Sequence, residues 1–256
     1  MRTSFGPFLG LAIAMMATPA FAQDSEEAKA ITVTGGATVV SDYRFRGISQ
    51  SDKRFAVQGT FTVAHKSGLY GTVWGSSIDD YITSPLGVPG ADQEIDLVAG
   101  YKKTLGKVTL DVGATYYYYP GKTGFPNTDF LEPYIAVSAP VGPVTAKLAA
   151  YYAPKQKALA FANAKDDNLY MNLGVSGTVG DSGVGYSAGV GRSFSRSFLS
   201  GGNKYTDWSL GLTYTTGPVT LGVSYVDTSY GKNVLTSFTG RDIAKAGIVG
   251  SIGVAF

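Results

Sequence analysis

Residues 40–52 read VSDYRFRGISQSD. Asp42, Arg44 and Arg46 alternate with Ser41, Tyr43 and Phe45, so an extended chain puts three charges on one face and the rings on the other. A soluble β-protein buries the rings and wets the charges. A barrel that spans a membrane reverses this, with rings toward lipid and charges toward an aqueous interior. The rest of the chain decides between the two.

The first residues give the compartment. Arg2 precedes an apolar run from Phe5 to Ala17, and Thr18-Pro19-Ala20-Phe21-Ala22 then supplies a small-x-small site. This predicts a signal peptide over 1–22, cleaved after Ala22. The run is short and lacks stop-transfer charges, which argues against a membrane anchor. Residues 23–30 are expected to form a short periplasmic segment, and 31–256 the folded body.

Composition narrows the class. An exported chain with no cysteine must draw its stability from a large core or a closed, fully hydrogen-bonded sheet. With 21 basic and 19 acidic residues, the charge balance supports neither nucleic-acid binding nor a polybasic membrane surface. After the signal, no stretch reaches the roughly 20 apolar residues of a transmembrane helix. Glycine (34) and tyrosine (17) are abundant, and helical patterning is hard to find. The chain reads as all-β.

Alternating segments fall at about 31–46, 55–65, 68–78, 93–103, 107–119, 129–139, 142–152, 168–179, 183–194, 205–215, 218–228 and 244–256. Most have the length of a tilted strand that crosses a bilayer. HKSG (65–68), TLGK (104–107), PVG (140–142), GDSG (180–183) and TGP (216–218) are tight turns. The links around 47–54, 79–92, 120–128, 153–167, 195–204 and 229–243 are long and polar. Short and long links alternate strictly. A soluble sandwich has no reason to sort its loops, whereas an outer-membrane barrel puts short turns in the periplasm and long loops outside. An even strand count then leaves both termini periplasmic.

The faces agree. Trp208, Leu210, Leu212 and Tyr214 oppose Asp207, Ser209, Gly211 and Thr213; Val219, Leu221, Val223 and Tyr225 oppose Thr220, Gly222 and Ser224. In the last strand Ile248, Ile252, Val254 and the terminal Phe256 share a face, and aromatics near strand ends suit interfacial girdles. The expected fold is a single transmembrane antiparallel up-and-down β-barrel of about twelve strands. Its first strand then directs Tyr43 and Phe45 to lipid and Asp42, Arg44 and Arg46 into the lumen. The same parity sends Glu94, Asp96, Asp111, Glu132, Lys147, Asp207 and Lys245 inward, and Arg192 outward. Tyr117, Tyr119, Tyr134, Tyr151 and Tyr170 also face in. The strand LYGTVWGSSI stays ambiguous, since each face carries one aromatic or apolar pair.

SDYRFRGISQSD (41–52), AVQG (56–59), VWGSSID (73–79), EIDLVAGY (94–101) and DVGATYYYYPG (111–121) together resemble the TorF family of porins from proteobacterial outer membranes. The resemblance covers nearly all of the mature chain and is densest over 41–121. It implies an outer-membrane barrel with porin character. It implies no particular substrate and no catalytic residue.

Catalytic chemistry finds little support. The single histidine, His65, sits in the first short turn, away from the long loops, and neither a Ser-His nor a zinc site can be assembled around it. Asp79-Asp80 and Asp166-Asp167 lie in loops without a calcium-loop spacing. An outer-membrane hydrolase is therefore the weakest reading, and no cofactor is expected. The lumen charges together are the candidate pore-lining set; Arg44 and Arg46 are expected to face Glu94, Asp96, Asp111 and Glu132, with the first three of these opposite them at the constriction. A backbone radius of about 12 Å follows from twelve strands spaced ~4.8 Å and tilted ~40°. The inward Gly, Ser and Thr favour an open bore; the tyrosines, or loop 229–243 folding in, would narrow it.

The expected function is passive diffusion of small hydrophilic solutes or ions, without catalysis. The alternative is a closed barrel with a structural or partner-binding role. Expected partners are outer-membrane lipid and lipopolysaccharide, the permeating solute, and the barrel-assembly machinery acting on the C-terminal strand that ends in Phe256. Nucleic acid is not among them.

Overall fold

In the computed structural model, residues 30–79, 90–121, 128–161 and 164–256 are described. The expected signal peptide and residues 23–29 lie outside them, as do Asp80 and residues 87–89 of the GVPG turn. Fourteen strands follow in order: β1 (Ile31–Val40), β2 (Arg44–Phe45), β3 (Ile48–Ser49), β4 (Ala56–His65), β5 (Leu69–Ser77), β6 (Gln93–Leu105), β7 (Val108–Tyr118), β8 (Phe130–Val141), β9 (Val144–Gln156), β10 (Asp166–Thr178), β11 (Val184–Ser193), β12 (Tyr205–Thr216), β13 (Val219–Thr228) and β14 (Gly247–Ala255).

Twelve of them close into an antiparallel barrel in which each strand pairs with its sequence neighbour. β1 seals the ring by pairing with β14, and the Phe256 and Gly35 backbones exchange hydrogen bonds at 2.8 and 2.9 Å. Closure leaves no edge strand in the ring itself, as a membrane requires. β2 and β3 stand apart as a two-stranded ribbon.

The expected tight turns sit at one end of the barrel. Three are two-residue links, Gly106-Lys107, Gly142-Pro143 and Gly217-Pro218, each opening on a glycine with φ near +60°. That is the type II′ arrangement, whose twist matches the flanking strands. Among the described residues, the start of β1 and the end of β14 lie at this same end, with Ile31 opposite His65 and Val254 opposite Val219.

Outward faces are apolar around the whole ring. Phe61, Val73, Leu97, Ile135, Leu148, Leu173, Leu210, Leu221 and Ile252 are all exposed. A soluble protein does not present a continuous belt of this kind; a lipid-facing barrel does. Trp74 and Tyr70 point inward while Leu69 and Val73 point outward, which resolves β5. The interior explains the composition: Tyr70 pairs with Gly100 and Tyr134 with Gly113, and a β-carbon on either glycine would strike the tyrosine ring. Glycine makes room for a ring laid across the sheet.

The first strand departs from expectation. It ends at Val40 rather than 46, and residues 41–54 turn back into the barrel. Tyr43 is 3 % exposed and Phe45 packs against the buried cluster, so neither ring meets lipid. The rings had a better burial site inside the bore than outside it.

Candidate functional site

The inward hairpin is the centre of the lumen. β2 and β3 pair Arg44 with Ser49 and Phe45 with Ile48, leaving Arg46 and Gly47 as a two-residue turn. Both have positive φ, +51° and +84°, as a type I′ turn demands. Glycine adopts this freely, and here it must also be small, because a β-carbon on Gly47 would meet Thr228 and Asp207 of the barrel wall. Arginine does not adopt it freely; left-handed backbone at such a residue costs about 1–3 kcal/mol and persists where surroundings impose it. The Arg46 contacts show what imposes it.

The Arg46 guanidinium lies 2.6 Å from Glu132 on β8, and the Tyr117 hydroxyl donates to the same carboxylate oxygen at 3.2 Å. It also sits 4.2 Å from the ring centre of Tyr170 and 5.4 Å from that of Tyr151. Its carbonyl accepts the Tyr205 hydroxyl at 2.9 Å. One residue thus touches β7-flanked Glu132, β9, β10 and β12. The hairpin crosses the bore.

Its flanks are held as firmly. The Tyr43 hydroxyl donates to Glu94 at 3.1 Å while its ring packs on Trp74, 5.4 Å between centres. Asp42 accepts Arg44 Nε and Ser49 Oγ, both at 2.6 Å. Arg44 Nη1 reaches the carbonyls of Gly47, Ile243 and Lys245 at 2.9, 3.2 and 3.1 Å. Asp52, fully buried, accepts Ser237 and Thr239 hydroxyls at 2.6 and 2.8 Å and the Arg241 guanidinium at 2.7 Å. Burial works against the Asp52 carboxylate, but these hydrogen bonds and the Arg241 charge override it and hold the group below the ordinary range. Arg54 pairs with Asp79, and the Asp79 amide donates to the Gln50 carbonyl at 2.8 Å. Loop 229–243 does fold inward, but as a clamp on the hairpin.

The expected lining set therefore divides. Glu94, Asp96 and Glu132 are buried in the closed half of the bore, at the long-loop end. Arg44 does not face them; it caps the carbonyls that lead into β14. Arg46 pairs with Glu132, one of the four carboxylates it was expected to face, and not with Asp96 or Asp111 of the expected constriction. Asp111 instead accepts Tyr70 at 2.7 Å and pairs with Lys102 at 3.4 Å. Asp207 accepts the Tyr170 hydroxyl at 3.1 Å, and Lys147 is half-buried on β9. Lys245 is exposed and precedes β14, which starts at Gly247 rather than 244. Arg192 is exposed, donates to Thr206 at 3.0 Å and lies over Phe194.

Toward the short turns the lumen changes character. Asn172, Gly174, Ser176, Ser187, Gly211, Ser224 and Ser251 face inward and are half-buried, so water reaches them. The bore is a small-residue, polar cavity on this side and a packed plug on the other. Tyr43, Trp74, Asp52 and Tyr205 belong to the plug and were not among the expected site residues. His65 contacts Ser67 at 2.8 Å within its own exposed turn, far in sequence register from the plug. Among the described residues, no group of three or more His, Asp or Glu is placed to hold a metal ion.

The profile of a bacterial protein family of unknown function, Gcw_chp, matches residues 24–256. The chain belongs to the Gcw_chp family. No curated protein sequence matches this Gcw_chp chain. Among solved structures, the KdgM porin is similar with a TM-score of 0.51 at 10 % identity, covering 88 % of this chain and 98 % of that one. The KdgM porin in complex with disordered oligogalacturonate gives 0.52 at 10 % identity, over 88 % and 98 %. A membrane protein studied for its in-meso crystallization gives 0.53 at 11 % identity, over 87 % and 83 %. At such identities the likeness concerns the fold. This Gcw_chp chain has a porin-like barrel.

Proposed function

We propose that the chain is an outer-membrane channel for small hydrophilic solutes or ions, closed in the described conformation by its own hairpin 41–54. The observation that carries the reading is the division of the lumen. A bore with no transport role has no need of a water-reached, small-residue half, and a permanently open pore has no need of a plug. In this reading the chain is exported through a cleaved signal peptide, sits among outer-membrane lipid and lipopolysaccharide, and is inserted by the barrel-assembly machinery through the strand ending at Phe256. The TorF resemblance supports the same porin character. Selection follows from bore size and lining charge, and no catalytic step is involved.

The test is solute efflux from proteoliposomes holding the refolded chain, alongside a variant with residues 42–52 replaced by a short Gly-Ser link. The variant is expected to release small hydrophilic solutes and the parent to release them slowly. The dense hydrogen bonding of the hairpin favours one second reading, a closed barrel of structural or partner-binding role. A correctly folded variant that releases nothing would establish that reading instead.

A further inference from the structure

Three carboxyl groups and one guanidinium meet in the closed half of the bore. Glu132 has Arg46, and Glu94 accepts the Tyr43 hydroxyl. Asp96 has neither kind of partner. It is fully buried, and no donor among the described residues reaches either of its oxygens. Its cross-strand neighbours are Trp74 on β5 and Tyr117 on β7, both 2 % exposed. A bare carboxylate between aromatic rings is strongly disfavoured.

The groups that face Asp96 and Glu94 are Tyr43 from the hairpin lead-in, Tyr117 on β7, Tyr119 just past the end of β7, and Glu132 on β8 with its partner Arg46. The tyrosines are neutral donors, and the one cation among these groups already gives its closest nitrogen to Glu132. Glu94 lies two residues from Asp96 on the same strand face. A proton would supply both missing elements, one positive charge and one O–H donor between the two carboxyl groups. Two carboxyls that share a dry site do not both ionise.

We infer that Glu94 and Asp96 bind one proton between them while the hairpin is seated, which makes the pair a buried proton site that governs opening. Tyr43 couples it to the plug, since the same Glu94 that shares the proton accepts the hairpin's hydroxyl. When the hairpin leaves and water enters, the carboxyl O–H gives its proton to bulk water and both groups ionise. Opening releases a proton, so alkaline conditions favour it and acid favours closure. This consequence rests on the channel reading above.

The experiment records single-channel activity in planar bilayers from pH 5 to 9 for the parent, Asp96→Asn, Glu94→Gln and the hairpin replacement. The infrared absorption of a protonated carboxyl is measured on the same proteins. For one linked proton, the open-to-closed ratio of the parent rises by up to about tenfold per pH unit. Asp96→Asn, neutral at every pH, flattens the pH response and loses the protonated-carboxyl signal. Glu94→Gln leaves Asp96 buried without a charge partner and keeps the signal, so its loss from the first variant alone reports the site and not misfolding. If the hairpin replacement conducts but the parent does not respond to pH, the proton site is overturned and the channel stands. If the replacement is silent, the channel reading fails, and absence of the infrared signal from the parent overturns the proton site independently. A parent that answers to exchange of sodium for choline, and not to pH, overturns it in favour of an alkali cation.

Discussion

Arg46 Nη2 and Glu132 Oε2 lie 2.6 Å apart in the middle of the bore, with both side chains buried. The pair links the tip of an inward hairpin to the barrel wall across 86 residues of sequence. A buried ion pair is poor evidence for stability, because desolvation offsets the attraction. Breaking one half is another matter, since it strands a charge.

Arg46→Met is therefore expected to destabilise the seated hairpin by about 3–5 kcal/mol, the usual cost of an unpaired buried charge. Arg46→Met combined with Glu132→Leu should recover most of that loss. Limited proteolysis within 41–54, compared across the parent, single and double variants, checks it: rapid cleavage in the single variant and slow cleavage in the double.

The clamp on Asp52 gives a pH prediction with a fixed sign. Its folded carboxylate titrates below the ordinary value, so its contribution is fully present above the unfolded value of about 3.9 and is lost as pH falls through the lower folded value. Acid should loosen loop 229–243 from the hairpin in this window, and Asp52→Asn should loosen it already at pH 7. The rate at which a single cysteine introduced at Ser237 is labelled, in a chain with no native cysteine, reads both effects.

The membrane placement predicts an asymmetry between adjacent residues. Leu212 faces outward, 56 % exposed, and Thr213 faces the wet half of the bore. Leu212→Arg should cost about 2–4 kcal/mol near the midplane, whereas Thr213→Arg, with its charge in water, should cost under about 1 kcal/mol. Urea titration of folding into lipid vesicles measures the difference, and equal losses would contradict the assignment of faces.

Much of this fold was legible because its constraints are local. Period-two alternation fixes which residues meet lipid, and glycine-led turns such as Gly142-Pro143 declare hairpins of one twist. The charges Glu94, Asp96 and Glu132 were placed inward by parity alone, correctly. The hairpin was not legible. Its alternation, Asp42 to Arg46, is the same pattern a continuing strand would carry, and an Arg-Gly pair does not announce a type I′ turn as Asn-Gly does. The backbone there is set by tertiary contacts of Arg46 with Glu132, Tyr170 and Tyr205, which no local pattern encodes. The partnering of Arg44 with the Ile243 and Lys245 carbonyls escaped for the same reason: it joins residues 199 and 201 positions apart.

The central claim is that the hairpin shuts one half of the bore and leaves the other wet. The most direct measurement is the reaction of a small water-soluble thiol reagent with two single-cysteine variants, Thr115→Cys and Ser176→Cys. Thr115 faces inward under the hairpin, 1 % exposed, and Ser176 lines the half-open cavity. The account predicts fast labelling at 176, negligible labelling at 115, and fast labelling at both once residues 42–52 are replaced. Equal labelling of the two sites in the intact chain would contradict it.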